Sequence, residues 1–533
     1  MQLSYSVNNL RSLTGLPLIN IRPITILVGR NSAGKSTFLR TFPLIKQSIE
    51  ARASAPILWF DRNSVDYGDF QTAVRNNNPE DSILFSFEAQ DVEVRNERWQ
   101  RHYYFMDEPY GRRTRTRILS AKLDFEIGLQ VQRTSKLRVN FDLPEHEIFT
   151  NIVVAKDGRR CEDVIVNGIS AASMLPKTNF SFLSSALFAP LRMTQEVKSE
   201  KTRQLPYWTE EPLISDIFSL LKPHVDKRIA DHNLMLEALK ILQSPRLSDD
   251  VVRNLIERTE LRSVQKLYRK WLESDDQRER KEIDWICALS YAVSNYTNVC
   301  HALQGAYGST LYIGPARASG ERFYRNQELE VSEIAPDGEN LPMFLASLSH
   351  SELSEFSDWV EGIFGYGISV TRNVGHVSIT LKRDGFHANV ADTGYGVSQV
   401  LPILAQTWWA NRVRGRGPSG RLPSNQSTFR IFAMEQPELH LHPAHQAKLA
   451  DVFVEAYAQS KRPIHYVIET HSESLINRLG ELIEDGKIPS SAVQIVIFSD
   501  DGNGTDPNGA GISISNFDEQ GHLKSWPYGF FSY

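Results

Sequence analysis

The segment GRNSAGKS, residues 29–36, fits G-x-x-x-x-G-K-[ST] in full, a spacing suited to holding phosphate. Gly29 and Gly34 let backbone amides close around phosphate oxygens, Lys35 meets the outer phosphates, and the Ser36 hydroxyl ligates magnesium. Asn31, Ser32, Ala33 and Thr37 complete the candidate ATP-binding set. The bland alternative is a Gly-rich turn with an incidental lysine. Against it stands the context: the β-branched run PITILV precedes the loop and the helical pattern FLRTFPLIKQSIEA follows it. That helix would point its positive dipole end at the phosphates.

A second stretch, IFAMEQPELHLHPAH at 431–445, carries an apolar strand into an acid, Glu435, suited to anchoring the magnesium ion. Gln436 follows where a second carboxylate would serve as base. A neutral amide orients water but cannot take its proton, so hydrolysis should be slow unless Glu435 or Glu438 acts as base. Glu438 reaches the site only if the turn folds back. His440, His442 and His445 offer another chemistry, because His-x-His with a third histidine is a zinc-like spacing. A metal enzyme would need further ligands nearby. His471, after the apolar run HYVIET, is either a buried strand-end histidine or a group that senses phosphate.

The elements that must position these groups lie far apart in a chain of 533 residues, too long for one ordinary core. From Asp81 to about Asn167 apolar residues alternate, as in ILFSFEA and KLDFEIGLQVQ, which predicts antiparallel strands. Between about Leu213 and Tyr307 the period turns helical, in LISDIFSLLKPHV, LMLEALKILQ and SVQKLYRKWLES. A strand-like HVSITLKRDGFHANVAD, the helix around GVSQVLPILAQTWWA and the strands around IFAME, HYVIE and VQIVIF follow. The expected division is 1–80 as the first half of a nucleotide-binding domain, 81–200 as its β-rich lobe, 201–310 as a helical insertion, and 311–533 as the second half.

A formal charge of -5 advertises no global nucleic-acid field, so any such contact would be a local patch. GRRTRTR, with arginines from Arg112 to Arg117, and RVRGRG, with arginines from Arg412 to Arg416, are candidates for sequence-blind phosphate contact, or simply solvated faces. The second opens a run rich in Gly, Pro, Ser and Arg, expected as an exposed mobile loop. Cys161, Cys287 and Cys300 match neither a disulfide framework nor a thiolate metal site. With no leader-like start and no apolar run near a membrane span, a cytoplasmic, membrane-free protein is expected.

Lys35 and Glu435 stand 400 positions apart, a separation suited to a P-loop domain split by long insertions. The order of the pieces resembles ABC-type ATPases of the SMC and RecF kind: phosphate loop, insertion, signature-like segment, Walker B strand, histidine switch. That resemblance implies an α/β fold, an ABC/RecF-like P-loop domain split by a β-rich lobe and a helical insertion. Laid on the ABC pattern, EQPELHLH puts Glu435 on the magnesium acid, Gln436 on the catalytic glutamate, and His440 and His442 in the D-loop. Thr470 and His471 fall on the switch, with the His471 imidazole reaching the γ-phosphate. GYGVSQVLP resembles the signature element presented across a nucleotide-sandwich dimer, with Gly394, Gly396, Ser398 and Gln399 as contacts. It departs from L-S-G-G-Q. NNLRSLTGL resembles the entry strand of the RecF group and implies that Arg11 and Ser12 lie near the nucleotide.

Within that group the tail LKSWPYGFFSY, with Trp526, Pro527, Gly529, Phe530 and Phe531, together with YIGPAR and EQPELHLHP, resembles the PtuA-type ATPases of Septu antiphage systems, which also occur beside retron reverse transcriptases. Gln after the Walker B acid is common there. The resemblance implies an HNH nuclease on a separate chain and, in a retron setting, a reverse transcriptase with its DNA-RNA product. A partner chain is expected for a further reason: the OLD family joins a similar ATPase to a C-terminal Toprim nuclease, whereas 62 residues follow His471 here, too few for that fold. The rival expectations are a RecF-like DNA repair ATPase and a nucleotide-gated scaffold without needed turnover.

Overall fold

The computed structural model describes residues 1–51, 55–95, 116–129, 135–155, 158–195, 212–273, 278–327, 331–383, 385–412, 429–459, 464–499 and 511–525. The aromatic tail, Arg112, Arg113, Arg115, Arg414 and Arg416 lie outside them. The chain forms two compact units. One comprises Met1–Leu3, Ala53–Pro56 and Leu84–Ala302, the other Ser4–Arg52, Ile57–Ile83 and Leu303–Tyr533. The strand-rich and helical stretches, expected as a lobe and an insertion, thus fall in one unit.

That unit is built on an antiparallel meander of Ile83–Arg95, Thr116–Leu129, Ser135–Leu143, Ile148–Val154, Cys161–Val166 and Ile169–Ser170, each strand beside the next. Alternation places Leu123, Phe125 and Ile127 on a buried face, as the sequence period requires. Helices Pro212–Leu221, Asp231–Leu242, Asp249–Arg258, Arg262–Glu273 and most of Arg278–Gly308 complete it. The last is fastened to the meander by Trp285, whose indole donates to the Val166 carbonyl at 3.0 Å.

The second unit carries a sheet of six strands in the order Leu311–Ile313, Arg430–Glu435, Ile464–Glu469, Ile24–Gly29, Val493–Phe498 and Ile512–Ser515. The first five run parallel and the last antiparallel. Their near-continuous apolar runs are buried along their length, the pattern of a parallel sheet covered on both faces. Its core joins Phe432, Met434 and Tyr466 to Leu449 and Phe453 of helix Pro443–Gln459 and to Leu475 of helix Glu473–Glu484. A smaller antiparallel sheet holds Tyr324–Arg325, Gly367–Asn373, His376–Arg383 and Phe386–Asn389. The strand-like HVSITLKRDGFHANVAD forms a pair of strands that turns at Gly385, where φ is 80°.

His465, on the strand Ile464–Glu469, gives this sheet a pH dependence. Its ring stacks on Phe429 at 3.8 Å, Nδ1 donates to the Ile21 carbonyl at 3.0 Å, and burial lowers its pKa to about 4. The unfolded chain, with an ordinary histidine near 6.5, binds the proton first, so its contribution is fully present above about pH 6.5 and lost as pH falls toward 4. Acid titration of stability should show a loss of about 3 kcal/mol across that window. His465→Gln should flatten it, as denaturant melts at pH 7 and pH 4.5 will show.

Candidate functional site

The phosphate loop sits between strand Ile24–Gly29 and helix Lys35–Glu50. Gly29 has φ 149°, and a Cβ there would lie 2.2 Å from the Phe498 carbonyl oxygen; Gly34, at φ 98°, would press a Cβ to 2.5 Å from Leu13 Cδ2. Only glycine fits at either place. Asn31 and Ser32 are exposed, Ala33 is half-buried, and the Ala33 amide donates to the Arg30 carbonyl at 3.3 Å. Lys35 Nζ folds onto the Gly29 and Arg30 carbonyls at 3.0 and 2.7 Å.

The segment before the loop closes over it. Ser12 Oγ would lie 3.2 Å from a Cβ at Gly34, and the Arg11 guanidinium lies 4.5 Å from the Tyr67 ring centroid. Tyr67 in turn donates its hydroxyl to the Thr37 carbonyl at 2.6 Å. Arg11 and Ser12 are therefore tied to the phosphate loop by packing, and Thr37 contributes a carbonyl to that tie.

Strand order brings the second half of the site to the first. The strand ending in Glu469 lies between the phosphate-loop strand and the strand ending in Glu435, with Glu435 and Glu469 as register partners. Glu435 is buried and fully engaged: Arg40 Nε and Nη2 donate to its two oxygens at 2.7 Å each, and the Tyr312 hydroxyl donates to Oε1 at 2.6 Å. Arg40 comes four residues after Ser36, so it shares a helix face with the hydroxyl expected on magnesium. No sequence motif marks Arg40. That helical spacing was the signal available. Removing it leaves a buried carboxylate without its cation, so Arg40→Ala should cost about 3 kcal/mol, at the low end for a buried pair because the arginine is one-third exposed. Denaturant unfolding would measure this, and Arg40→Ala/Glu435→Gln should recover part of the loss.

Gln436 occupies left-handed backbone at φ 42° and is half-buried, its amide donating to the Glu469 carbonyl at 2.8 Å. The turn after it does fold back, with Leu439 N donating to Gln436 O and Leu441 N to Glu438 O. Glu438 Oε1 then accepts the His471 amide at 2.7 Å. Burial raises the Glu438 pKa against the pull of the His471 amide and the Thr470 hydroxyl. Burial lowers that of His471, with the Lys35 ammonium adding to the effect, so the imidazole stays neutral at neutral pH. Its Nε2, buried, has no partner among the described residues.

Arg317, a residue that the sequence marked only within YIGPAR, organises the turn. It is 5% exposed, and its guanidinium donates to the carbonyls of Glu435, Gln436 and Gln399 at 2.7, 3.2 and 3.4 Å. Burial lowers its pKa to about 10 while Glu438 and Glu435 push it back up, so it remains a cation.

The signature-like segment opens the helix Tyr395–Arg412. Gly394 and Tyr395 are exposed, and a Cβ at Gly396 would lie 2.6 Å from the His440 carbonyl oxygen. Ser398 and Gln399, expected among the contacts to a second copy, turn inward within the single chain. Both are buried: Ser398 donates to the Tyr395 carbonyl at 2.8 Å, and Gln399 donates to the Arg317 carbonyl at 3.1 Å. Helical periodicity turns them inward while Gly394 and Tyr395 remain outside. The three histidines also part. His440 packs edge-on against Tyr395 at 5.0 Å, His442 Nδ1 accepts the Ala444 amide at the start of a helix, and His445 packs on Phe364.

A magnesium ion fits the donor set at the strand ends. Ser36 offers a hydroxyl, and Glu469 carries a buried oxygen, Oε2, without a hydrogen-bond partner among the described residues. Hard oxygen donors of this kind suit magnesium, which keeps several waters and takes few protein ligands.

The family model described as AAA ATPase domain matches residues 1–476. Solved structures similar to the chain include an Smc head domain with a coiled coil and joint derived from Pyrococcus yayanosii, at 11% identity and TM-score 0.30, covering 98% of each chain. An SMC head domain from Thermotoga maritima follows at 8% identity and TM-score 0.28, covering 97% of this chain and 98% of that one. RecF with ATPrS, described as a recombination mediator protein of the RecFOR pathway, is 8% identical with TM-score 0.23, covering 89% and 93%. Scores so low lend no weight to a shared function. No curated protein matches the chain. Among the described residues no helix is long and apolar enough to cross a membrane. With the family match spanning most of its length, over a phosphate loop and acid on one parallel sheet, the chain belongs to the AAA ATPase domain family.

Proposed function

We propose that the chain binds Mg-ATP and holds it longer than it hydrolyses it, acting as a nucleotide-gated switch that controls a toxic partner. The observation that supports the reading is strand order: the strands ending in Gly29, Glu469 and Glu435 lie side by side, with Lys35 and Ser36 following the first, His471 the second and the amide Gln436 the third. His471 would donate to the γ-phosphate as a neutral imidazole, and Lys35 would exchange two loop carbonyls for phosphate oxygens. Removing Lys35 takes away charge-assisted contacts worth about 1.5–3 kcal/mol each. Lys35→Ala should therefore weaken ATP binding at least about 100-fold in equilibrium titration. Brisk steady-state hydrolysis by the native chain, abolished in Lys35→Ala, would refute the slow-turnover reading.

The finer identity rests on the resemblance of the tail, YIGPAR and EQPELHLHP to the Septu ATPases. On it the chain is the ATPase subunit of a cytoplasmic antiphage complex. It would act as a nucleotide-sandwich dimer or higher homo-oligomer, gating an HNH nuclease and, beside a retron, a reverse transcriptase with its DNA-RNA product. Exposed Gly394 and Tyr395, packed beside the His440 turn, are the part of the signature segment able to meet a second copy. Purification from the native gene cluster should bring the nuclease with the chain. DNA-stimulated hydrolysis without a nuclease would favour a RecF-like repair ATPase instead.

A further inference from the structure

Glu469 is a carboxylate to which the phosphate-loop pattern assigns no task. It is 3% exposed, at the end of the strand Ile464–Glu469 that lies against the phosphate-loop strand. Its Oε1 lies 4.0 Å from Lys35 Nζ, burial raises its pKa while the nearby Ser36 hydroxyl and the Lys35 ammonium pull it back, and Oε2 has no partner among the described residues. Its neighbour Glu435 differs in one respect: both oxygens are already taken by Arg40 and Tyr312. A buried carboxylate oxygen without a partner is costly, and in a native structure it calls for an ion, a water or a functional role.

Charge decides between the two acids. The Arg40 guanidinium neutralises Glu435 at contact distance, so Glu435 offers an arriving cation little net field. Once Lys35 turns to the phosphates, Glu469 is left as a negative charge beside the Ser36 hydroxyl. We propose that Glu469, rather than Glu435, is the carboxylate that faces the magnesium ion of bound nucleotide beside Ser36. Glu435 holds Arg40 and Tyr312 and thereby fixes the strand end. The proposal rests on the reading of the chain as an ATP binder and reassigns the acid within that site.

Titration of the full chain with a fluorescent ATP analogue, in Mg2+ and in EDTA, separates the possibilities. The native chain should bind more tightly in Mg2+. In Glu469→Gln that advantage should shrink about 10- to 100-fold, the loss of one charge-assisted contact, with affinity in EDTA no weaker than native. In Glu435→Gln the advantage should persist while the melting temperature falls. Manganese EPR with unlabelled ATP should show the same ranking. Glu469→Asp, which retracts the carboxylate by one methylene, should lie between native and Glu469→Gln and covers the case in which the glutamine variant fails to fold. An undiminished magnesium advantage in Glu469→Gln or Glu469→Asp, its loss in a folded Glu435→Gln, or its absence in the native chain would overturn the assignment. No binding by the native chain in either buffer would instead remove the ATP reading itself.

Discussion

Gln436→Glu should raise steady-state ATP turnover by about 100-fold, the lower end of what a positioned general base contributes. The substitution changes an amide into a carboxylate with almost no change of shape. Residue 436 already holds φ 42°, which glutamate tolerates as glutamine does, so the backbone has no new reason to move. In the native chain Glu435 is committed to Arg40 and Tyr312, and Glu438 Oε1 accepts the His471 amide. Glu435 cannot accept a proton from an attacking water without breaking those bonds, whereas Glu438 keeps Oε2 without a partner among the described residues and is the rival base. Phosphate release measured for both proteins at saturating Mg-ATP provides the check. An unchanged rate in a Gln436→Glu chain that still binds ATP would mean that the base lies elsewhere.

Arg317→Ala should have the largest effect on the architecture of the site. It removes the guanidinium donors from three carbonyls, those of Gln399, Glu435 and Gln436, of which Gln436 keeps the Leu439 amide, inside a region that water reaches poorly. Each buried acceptor left unpaired costs about 1–3 kcal/mol, and recovery of the burial cost of the guanidinium offsets part of the sum. A net loss of about 3 kcal/mol is expected, a melting decrease of roughly 6–12 °C for a unit of this size. Arg317→Lys should fail to rescue, because an ammonium cannot reproduce the planar fork that spans these oxygens. The signature helix and the Gln436 turn share this one guanidinium. ATP-driven self-association, followed by light scattering, should therefore weaken even below the melting temperature. An Arg317→Ala chain that melts and associates like the native one would contradict this role.

Local chemistry was legible in the sequence wherever short-range spacing sets it. The phosphate loop follows from glycines at positions where the backbone admits no side chain, after a β-branched strand and before a helix. The lack of a carboxylate at 436 is equally plain, because one position after a strand-end acid has a defined place in the turn. Hydrophobic period also separated the strands of residues 83–129 from the helices of 212–308. It does not mark the turn at Gly385 inside the strand-like HVSITLKRDGFHANVAD, nor the helix phase that turns Ser398 and Gln399 inward.

What only the tertiary structure decided are the contacts between residues whose own segments carry no record of them. Nothing in LRTF announces that Arg40 will meet an acid 395 positions away. Nothing in HYVIET says that its strand will lie between the phosphate loop and IFAME, bringing Glu469 level with Glu435 and beside Ser36. Strand order and register result from packing all the apolar faces at once, so no single segment specifies them. The sequence by itself determined a full phosphate-loop pattern and an amide, Gln436, one position after a strand-end acid. Packing determined which buried acid is spent on an arginine and which keeps an oxygen free.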